Sequence, residues 1–157
     1  MVRLEREERE SETVVRFWVA GAQLAVPAAN VDEIVALEAP TLVPGVPRHV
    51  AGIVAVRGEA VPLLDVGVLL GLGSAAASSA MFEDRDPRVL VVRGGLYRVG
   101  LICELVSSVA GVARARLSSP ETVQPPELRR FAEARVDLGD GMAVLLDLPA
   151  MLEAARA

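Results

Sequence analysis

The chain has 157 residues, which is long enough for one compact domain, and its net charge of -5 argues against a nucleic-acid-binding protein, which normally shows a basic face. Its single cysteine and single histidine exclude an internal disulfide and a cysteine-rich metal site. No apolar run approaches the roughly 18 residues of a membrane-spanning helix, and the N-terminus lacks the apolar core of a secretory signal, so we expect a soluble, cytoplasmic protein.

The first elements along the chain predict a charged tail followed by a hairpin. Residues 1–13 are dominated by glutamate and arginine, and such a segment buries too little apolar surface to offset its ordering entropy, which predicts a flexible tail. Apolar residues then alternate over 14–19, the period of a strand with one buried face. Gly21 and Ala22 predict a turn into a second strand at 24–26.

The next segment combines a short strand with an irregular crossing. Residues 28–37, AANVDEIVAL, predict a helical turn that leads into a strand. The proline-rich residues 39–49 then predict an ordered but irregular connection. Two more strands follow, Ile53 to Val56 and Ala60 to Leu64, joined at Arg57-Gly58-Glu59, where Gly58 suits a positive φ. A short helix over 66–72 and a linker over 73–86 close this half of the chain.

The second half repeats this order of elements. A strand pair around Gly94-Gly95 is followed by an acidic residue, Glu104, and another valine-rich strand. The closing GDGMAVLLDLPAMLE resembles the earlier GEAVPLLDVGVLLG. Between the valine-rich strand and this closing segment we expect a loop from Pro125 and a strand from Phe131 to Leu138, although Glu127 to Ala134 could also be helical.

The repeat predicts an internal duplication of a small β unit. Two small barrels that share a core would remove exposed strand edges. We therefore expect an all-β fold, with a first barrel over about 14–72 plus the chain ends, the linker over 73–86, and a second barrel over about 87–148.

Several segments, in this order, resemble the CheW-like family of chemotaxis coupling proteins over about residues 14–155. The chain departs from the family at Ala55, where similar proteins usually carry asparagine, and at Glu104, where aspartate is frequent. The segments that carry the resemblance are FWVAGAQLAVP, VDEI (Val31 to Ile34), the proline-rich crossing, GIVAVRGEAVPLLD (Gly52 to Asp65), VGLICELV (Val99 to Val106) and VLLDLPAMLE.

The resemblance implies two five-stranded SH3-like barrels packed together, in a non-enzymatic adaptor. It implies a stand-alone protein that couples chemoreceptors, the methyl-accepting chemotaxis proteins, to the regulatory domain of a CheA-type histidine kinase. Such a protein would join membrane receptor arrays through its partners without inserting into the membrane. No cofactor, metal or nucleic acid is implied.

The resemblance also implies the residues that contact partners. A groove between the barrels would take the receptor's hairpin tip, and Arg57 and Gly58 would contact a partner from the turn. Without a partner, Arg57 would be a solvated turn charge of little value to stability. The groove residues implied are Val31, Glu33, Ile34 and Val109.

Other polar residues have simpler interpretations. Asp65 and Asp147 occupy equivalent places in the repeat and could form an acid pair as in hydrolases. Each also ends a VxLLD strand, where it can cap the helix behind it, and this interpretation is favoured. His49 is expected in a surface loop, and Cys103 is expected to behave as a small apolar residue.

Two alternatives stay open. The chain could be a divergent CheW-like protein that binds receptors without coupling to the kinase, as Ala55 suggests. It could also be a small enzyme on a β-barrel scaffold, although the sequence has no glycine-rich phosphate loop and no ligand cluster.

Overall fold

The computed structural model describes residues 11–73, 87–113, 116–139 and 141–156, and at 11–12, 107–110 and 113 it describes the backbone alone. Most of the tail predicted over 1–13 and almost all of the linker predicted over 73–86 therefore lie outside the described residues. No helix within the described ranges has the length and apolar content needed to cross a membrane.

Strands dominate these ranges, as the alternation of apolar residues predicted. The described ranges contain two α-helices, α1 (Val66–Leu69) and α2 (Leu148–Arg156). They also contain short 3-10 turns at Ala28–Asn30, Pro120–Thr122 and Pro126–Phe131. The strands are β1 (Ser11–Val19), β2 (Ala22–Pro27), β3 (Val31–Ala36), β4 (Val50–Val56), β5 (Glu59–Leu64), β6 (Arg88–Gly94), β7 (Tyr97–Cys103), β8 (Leu105–Ala113), β9 (Leu117–Ser118), β10 (Ala132–Asp137) and β11 (Met142–Leu146).

The strands form two sheets with the same internal plan. The five-stranded sheet has the order β3-β6-β7-β5-β4, and the six-stranded sheet has the order β8-β1-β2-β11-β10-β9. In each sheet the central pair is parallel, β5 with β7 and β2 with β11, while the other pairs are antiparallel. The sixth strand is the two-residue β9, and an isolated bridge between Thr41 and Ile53 occupies the corresponding place in the other sheet. The expected all-β fold of two barrel-like sheets is confirmed.

The sheets divide the chain differently from the predicted barrels. The sequence repeat runs from β1 to α1 and again from β6 to α2. The hairpin β1–β2, however, joins β8, β10 and β11, whereas the hairpin β6–β7 joins β3, β4 and β5. Each sheet is therefore built from the hairpin of one repeat and the remaining strands of the other. The boundaries expected at 14–72 and 87–148 do not coincide with the sheets, because a repeated pattern does not specify which copy a hairpin pairs with.

Two-residue turns close the hairpins. Ala20 and Gly21 have φ of 49° and 81°, so the first turn lies one residue before the predicted Gly21-Ala22, and Ala22 already pairs with Val19. The turn predicted at Gly94-Gly95 is also shifted, because Gly94 pairs with Tyr97. Two positive φ values in succession are typical of the turns whose twist matches that of the flanking strands.

The loop predicted from Pro125 forms a 3-10 turn, Pro126–Phe131, before β10 begins at Ala132. Both expectations for this stretch were partly right. The loop ends in helical geometry, but the helix stops three residues before Ala134, the end of the alternative helix.

One apolar core joins the two sheets. The largest cluster of buried residues includes Phe17 and Leu24 from the six-stranded sheet, Leu63 and Leu101 from the five-stranded sheet, and Met151 from α2. The sheets therefore share a core, as the predicted pair of small barrels required.

Both predicted helix caps are confirmed. The backbone N–H of Val68 donates to Asp65 Oδ1 at 3.3 Å, and the N–H of Ala150 donates to Asp147 Oδ1 at 3.1 Å. Each carboxylate thus satisfies a backbone donor that the first turn of a helix leaves without an intrahelical acceptor.

Candidate functional site

A groove of about 480 Å³ separates the two edge strands of the five-stranded sheet. β3 and β4 stand at opposite ends of the strand order, so the sheet curls until its two edges face each other. Residues 33–36 of β3 form one wall and residues 54–56 of β4 form the other. Glu38, Arg57 and Val89 complete the lining.

Backbone groups of both edges face this groove. Ile53 exchanges hydrogen bonds with Thr41, at 2.8 and 2.9 Å, on the side of β4 away from β5. Alternate residues of a strand direct their N–H and C=O groups to the same side, so those of Ala55 also point away from β5. On β3, Leu37 donates to Pro87 beside β6, and the groups of Ile34 and Ala36 therefore face away from β6. The groove thus combines polar backbone with partly apolar side chains.

An ion pair spans the groove at its hairpin end. Arg57 Nε lies 2.7 Å from Glu33 Oε2, although the two residues belong to elements at opposite edges of the sheet. The Arg57 side chain is 80% exposed, whereas that of Glu33 is 15% exposed. Arg57 is therefore held at one point and presents most of its guanidinium to solvent.

Arg57 has a backbone conformation that favours glycine. Its φ is 51°, and Gly58 follows with φ of 79°. The corresponding turn between β10 and β11 has Gly139 in the same place, with φ of 88°. A left-handed conformation costs a residue with a side chain about 1 kcal/mol or more. Ala20 has the same conformation, with φ of 49°, at the turn between β1 and β2, so this cost accompanies the two-residue turn.

The second carboxylate oxygen of Glu33 has no hydrogen-bond partner among the described residues. Oε1 is buried, and no hydrogen-bond donor contacts it within the described part of the chain. A buried acceptor without a donor costs free energy, and more when it is charged. The groove therefore contains a group that a partner can satisfy.

A cluster of charges lies beside the groove on neighbouring strands. Asp32 accepts hydrogen bonds from Arg93 Nε at 2.7 Å and Arg98 Nε at 3.0 Å, and Arg98 also donates to Glu59 at 2.7 Å. Desolvation raises the pKa of Asp32, but the hydrogen bonds from Arg98 and Arg93 outweigh it and the pKa lies below its ordinary value. The cluster connects β3, β6, β7 and β5 at the end that carries the Arg57 turn.

The structure brings together residues that the sequence placed in two separate sets. Glu33 and Ile34, expected in the receptor groove, share a lining with Arg57, expected only as a turn contact. Ile34 is 45% exposed, and Val31 is half-buried against the core. This groove lies between the edges of one sheet, whereas the resemblance implied a groove between barrels.

Val109, the remaining predicted groove residue, lies on β8 of the six-stranded sheet, where its backbone pairs with Val15. Its side chain is outside the described part. β8 pairs with β1 in the way that β3 pairs with β6, and both pairings have a register shift at the equivalent position. When the two strand pairs are aligned on this shift, Val109 corresponds to Ile34. Val109 is thus the counterpart of Ile34 in the other repeat.

A second groove, of about 350 Å³, occupies the equivalent place in the six-stranded sheet. It includes Gly111, Arg116, Asp137 and Gly139. The same alignment puts a serine, Ser108, where Glu33 stands in the first groove. The repeat therefore supplies the groove twice but the glutamate and arginine only once.

The sequence analysis did not identify Glu38, Val54 or Val89 as groove residues. These side chains belong to different elements, and only the curl of the sheet brings them together. The opposite charges of Glu33 and Arg57 were the one signal in the sequence that could have placed the predicted groove residues and the predicted turn residues in one site. Ala55, where the chain departs from the family, pairs in regular register with Ala60.

Neither Cys103 nor His49 is among the residues that line the groove. Burial, with a smaller contribution from Glu104, raises the pKa of the Cys103 thiol to about 12, so it is a poor nucleophile. His49 Nε2 donates to the carbonyl of Ala155 at 2.7 Å and ties the crossing to α2. No group of three or more His, Cys, Asp or Glu that could hold a metal ion occurs within the described ranges.

Comparison with known proteins gives concordant matches. A family model described as "CheW-like domain" matches residues 13–156. The chain is 28% identical over 120 residues to "Chemotaxis protein CheW" of Bacillus subtilis strain 168, covering 75% of this chain and 72% of that protein. It is 26% identical over 146 residues to "Probable chemotaxis protein CheW" of Rhizobium etli, covering 88% and 85%.

Among solved structures, the fold matches that of the scaffolding protein TtCheW from Thermoanaerobacter tengcongensis with a TM-score of 0.76. The match covers 89% of this chain and 86% of that chain, at 23% sequence identity. The fold is therefore shared even where the side chains differ.

Proposed function

The chain belongs to the CheW-like family, and we propose on this basis that it is a non-enzymatic adaptor that couples chemoreceptors to a CheA-type histidine kinase. The observation that carries the proposal is the extent of the match, because residues 13–156 include both sheets and both helices. The names of the similar proteins, chemotaxis proteins and a scaffolding protein, support the same function.

The receptor's cytoplasmic hairpin tip is proposed to bind at the groove between β3 and β4. Ile34 offers exposed apolar surface there, and Arg57 stands beside it with most of its hydrogen-bonding groups exposed. Arginine is frequent among the residues that dominate interface energies, because its planar fork makes several directed hydrogen bonds.

The other residues implied by the family have supporting roles in this proposal. Val31 would hold β3 against the core, and Gly58 would allow the turn that presents Arg57. Val109, as the counterpart of Ile34, would contribute an equivalent contact from the six-stranded sheet.

The kinase regulatory domain is proposed to bind a different surface of the adaptor. Through these two partners the protein would be held at membrane receptor arrays on the cytoplasmic side. The alternative, receptor binding without kinase coupling, has only Ala55 in its favour. The alternative of a small enzyme has no catalytic constellation in the described residues to support it.

Calorimetric titration tests the proposal with two separate partners. Purified protein is titrated with the cytoplasmic hairpin tip of a chemoreceptor from the same genome, and then with the regulatory domain of a CheA-type kinase. We expect saturable binding of each. Receptor binding without kinase binding would favour the divergent alternative, and binding of neither would refute the adaptor. Saturable ATP binding or stoichiometric zinc would favour an enzyme.

A further inference from the structure

We infer that a cavity beside the C-terminal end of α2 binds the phenylalanine side chain of a partner protein, presented with a carboxylate next to it. The cavity measures about 170 Å³. Strands β5 and β7 contribute Pro62, Leu64 and Val99 to its lining, and α2 contributes Ala155 and Arg156. It shares no described lining residue with the groove between β3 and β4, so a partner here does not compete for the residues of the groove.

The internal repeat identifies the counterpart of His49. The N–H of Asp65 donates to the carbonyl of His49, and the N–H of Asp147 donates to the carbonyl of Phe131, each at 2.8 Å. The two aspartates are equivalent helix caps, so His49 and Phe131 occupy equivalent places, each directly before a strand. The first repeat therefore has histidine where the second has phenylalanine.

The second repeat covers its strands with apolar side chains at this place. Phe131 and Leu128, three residues before it, are buried in the same cluster as Val144 and Leu146 of β11. In the first repeat Val46 stands in the position of Leu128 and is 39% exposed. The crossing between β3 and β4 therefore leaves apolar surface open that the later crossing covers.

His49 makes a polar contact instead of an apolar one. Its Nε2 donates to the carbonyl of Ala155 at 2.7 Å. Pro62 stays exposed, whereas Val144, its counterpart three residues before the capping aspartate, is buried. The cavity therefore marks a place that an aromatic side chain covers in one repeat and that the other repeat leaves open.

The size of the cavity selects a single side chain as its occupant. Pockets for small molecules usually measure about 300–1,000 Å³, which is larger than this cavity. A cavity of about 150 Å³ accepts one benzene ring. An aromatic side chain that fills a pocket of this size is a common form of the dominant contact in a protein interface.

The arginine before His49 favours an aromatic ring. In the second repeat Arg130 lies over Phe131, with its guanidinium carbon 4.3 Å from the ring centroid. Arg48 is the corresponding residue in the first repeat, and it is exposed. A guanidinium is attracted to the face of an aromatic ring, so Arg48 can cover an incoming ring as Arg130 covers Phe131.

The charge at the mouth of the cavity favours a carboxylate beside the ring. Arg156 is largely exposed, and its Nη1 donates to the Tyr97 hydroxyl at 3.0 Å and lies 3.8 Å from the Glu153 carboxylate. Arg48 adjoins His49, which is bonded to the end of α2, so two arginines stand against one glutamate. A carboxylate of the partner would balance this positive charge through charge-assisted hydrogen bonds.

Titration of a blocked pentapeptide, Gly-Phe-Glu-Glu-Gly, into ¹⁵N-labelled protein tests the inference by NMR. We expect saturable shifts of the Leu152 and Ala155 amides, with a dissociation constant of about 1 mM or lower. Replacing the phenylalanine of the peptide by alanine should abolish saturable binding. Replacing both glutamates by glutamine should weaken binding about threefold, as expected for exposed charges.

Filling the cavity from within should block the peptide. His49→Phe gives the first repeat the residue of the second, and Ala155→Leu extends an apolar side chain from α2 into the cavity. Each should weaken binding at least tenfold. Arg156→Gln should weaken it about threefold. Arg88→Gln is the matched control, because Arg88 is exposed and pairs with Cys103 at the end of the β6–β7 hairpin away from its turn, and it should leave the affinity unchanged.

Several outcomes would overturn the assignment. The parent might be expected to bind only if the cavity is accessible, so the absence of saturable shifts refutes it, as does equal binding of the alanine peptide. Unchanged affinity in a filled variant whose thermal melt shows it folded also refutes it. Should His49→Phe not fold, Ala155→Leu decides the question.

Two further controls separate a partner protein from the chain itself. The chain has three phenylalanines, and Phe82 is the one outside the described residues. Tighter peptide binding by Phe82→Ser would show that the chain supplies its own ligand, which would refute a partner protein. Shifts of the Leu152 and Ala155 amides on dilution of the parent would assign the cavity to a second copy and refute it equally. We expect neither change.

Discussion

Arg57 Nε and Glu33 Oε2 lie 2.7 Å apart and connect the β4–β5 turn to the opposite edge strand of the same sheet. The contact is largely exposed on the arginine side, so it adds little to the free energy of unfolding. Its main effect is geometric, because it fixes where the exposed end of Arg57 points. Binding and stability should therefore respond differently to changes at this residue.

Arg57→Ala should weaken receptor-tip binding by more than tenfold, because truncating a dominant interface residue costs about 2 kcal/mol or more. The free energy of unfolding should move by only about 0.5 kcal/mol, as is usual for an exposed side chain. Arg57→Gly is the matched control, since glycine accepts the φ of 51° without strain. It should bind as weakly as the alanine variant and unfold at the same or a higher temperature.

Calorimetry and thermal melts on the same preparations check this pair. Unchanged affinity in both variants would make Arg57 a solvated turn residue. A matching loss of stability would make it structural.

Ile34→Asp should weaken receptor-tip binding at least tenfold while the protein remains folded. Ile34 is 45% exposed, so a charge there stays hydrated in the free protein but is desolvated by a partner. Leu96→Asp is the control, because Leu96 is a fully exposed apolar residue at the β6–β7 turn, outside the groove lining. Titration of both variants decides the matter, and equal effects on binding would contradict the groove assignment.

The free energy of unfolding should fall as the pH rises from about 9 to about 12. Burial raises the pKa of Cys103 from 9.0 to about 12, so the folded state holds the thiol proton more tightly than the unfolded state. The stabilisation is complete below the unfolded pKa and is lost as pH rises through this window. The chain has no lysine and a single tyrosine, which leaves few other groups to titrate there.

Urea unfolding of the parent and of Cys103→Ala at pH 8 and pH 10.5 measures this effect. The parent's advantage over the variant should shrink at the higher pH. An advantage that stayed constant would show that the thiol is not protected by burial.

Asp65→Ala and Asp147→Ala should each lower the free energy of unfolding by about 1 kcal/mol through loss of a helix cap. Receptor-tip binding should not change, because neither residue lines the groove between β3 and β4. Denaturant melts and titrations of both variants are sufficient. Unchanged stability in both variants would contradict the capping interpretation.

Fragments 1–73 and 87–157 should not fold separately but should assemble when mixed. The first lacks the β6–β7 hairpin of the five-stranded sheet, and the second lacks the β1–β2 hairpin of the six-stranded sheet. Circular dichroism and gel filtration of each fragment and of the mixture test this expectation. A cooperative melt from either fragment alone would show that the exchange of hairpins is not required for folding.

Much of the fold was predictable because strands here have one buried face and short turns. The period of two identified both hairpins and β3, and a glycine at or next to each turn located them to within a residue. The hairpin exchange was not predictable from the repeat. Both copies carry the same apolar pattern, and only three-dimensional packing decides which hairpin completes which sheet.

The site was predicted only in parts. Arg57, Glu33 and Ile34 were all named as partner contacts through the family resemblance, and the structure places them around one groove. Their contact depends on how far the sheet curls, which no local pattern records. The buried state of Glu33 Oε1 depends on the same curl and was equally invisible.

The exchange of hairpins also sets the order in which the protein can assemble during synthesis. All strands of the five-stranded sheet, together with the groove, have been made once residue 103 is complete. The β1–β2 hairpin is made first but pairs with β11, so Leu24 must wait for Val144. Until then the edge of β2 that pairs with β11 has no partner strand, and an open strand edge leaves the nascent chain vulnerable to aggregation. The adaptor can therefore build its binding groove before its six-stranded sheet can close.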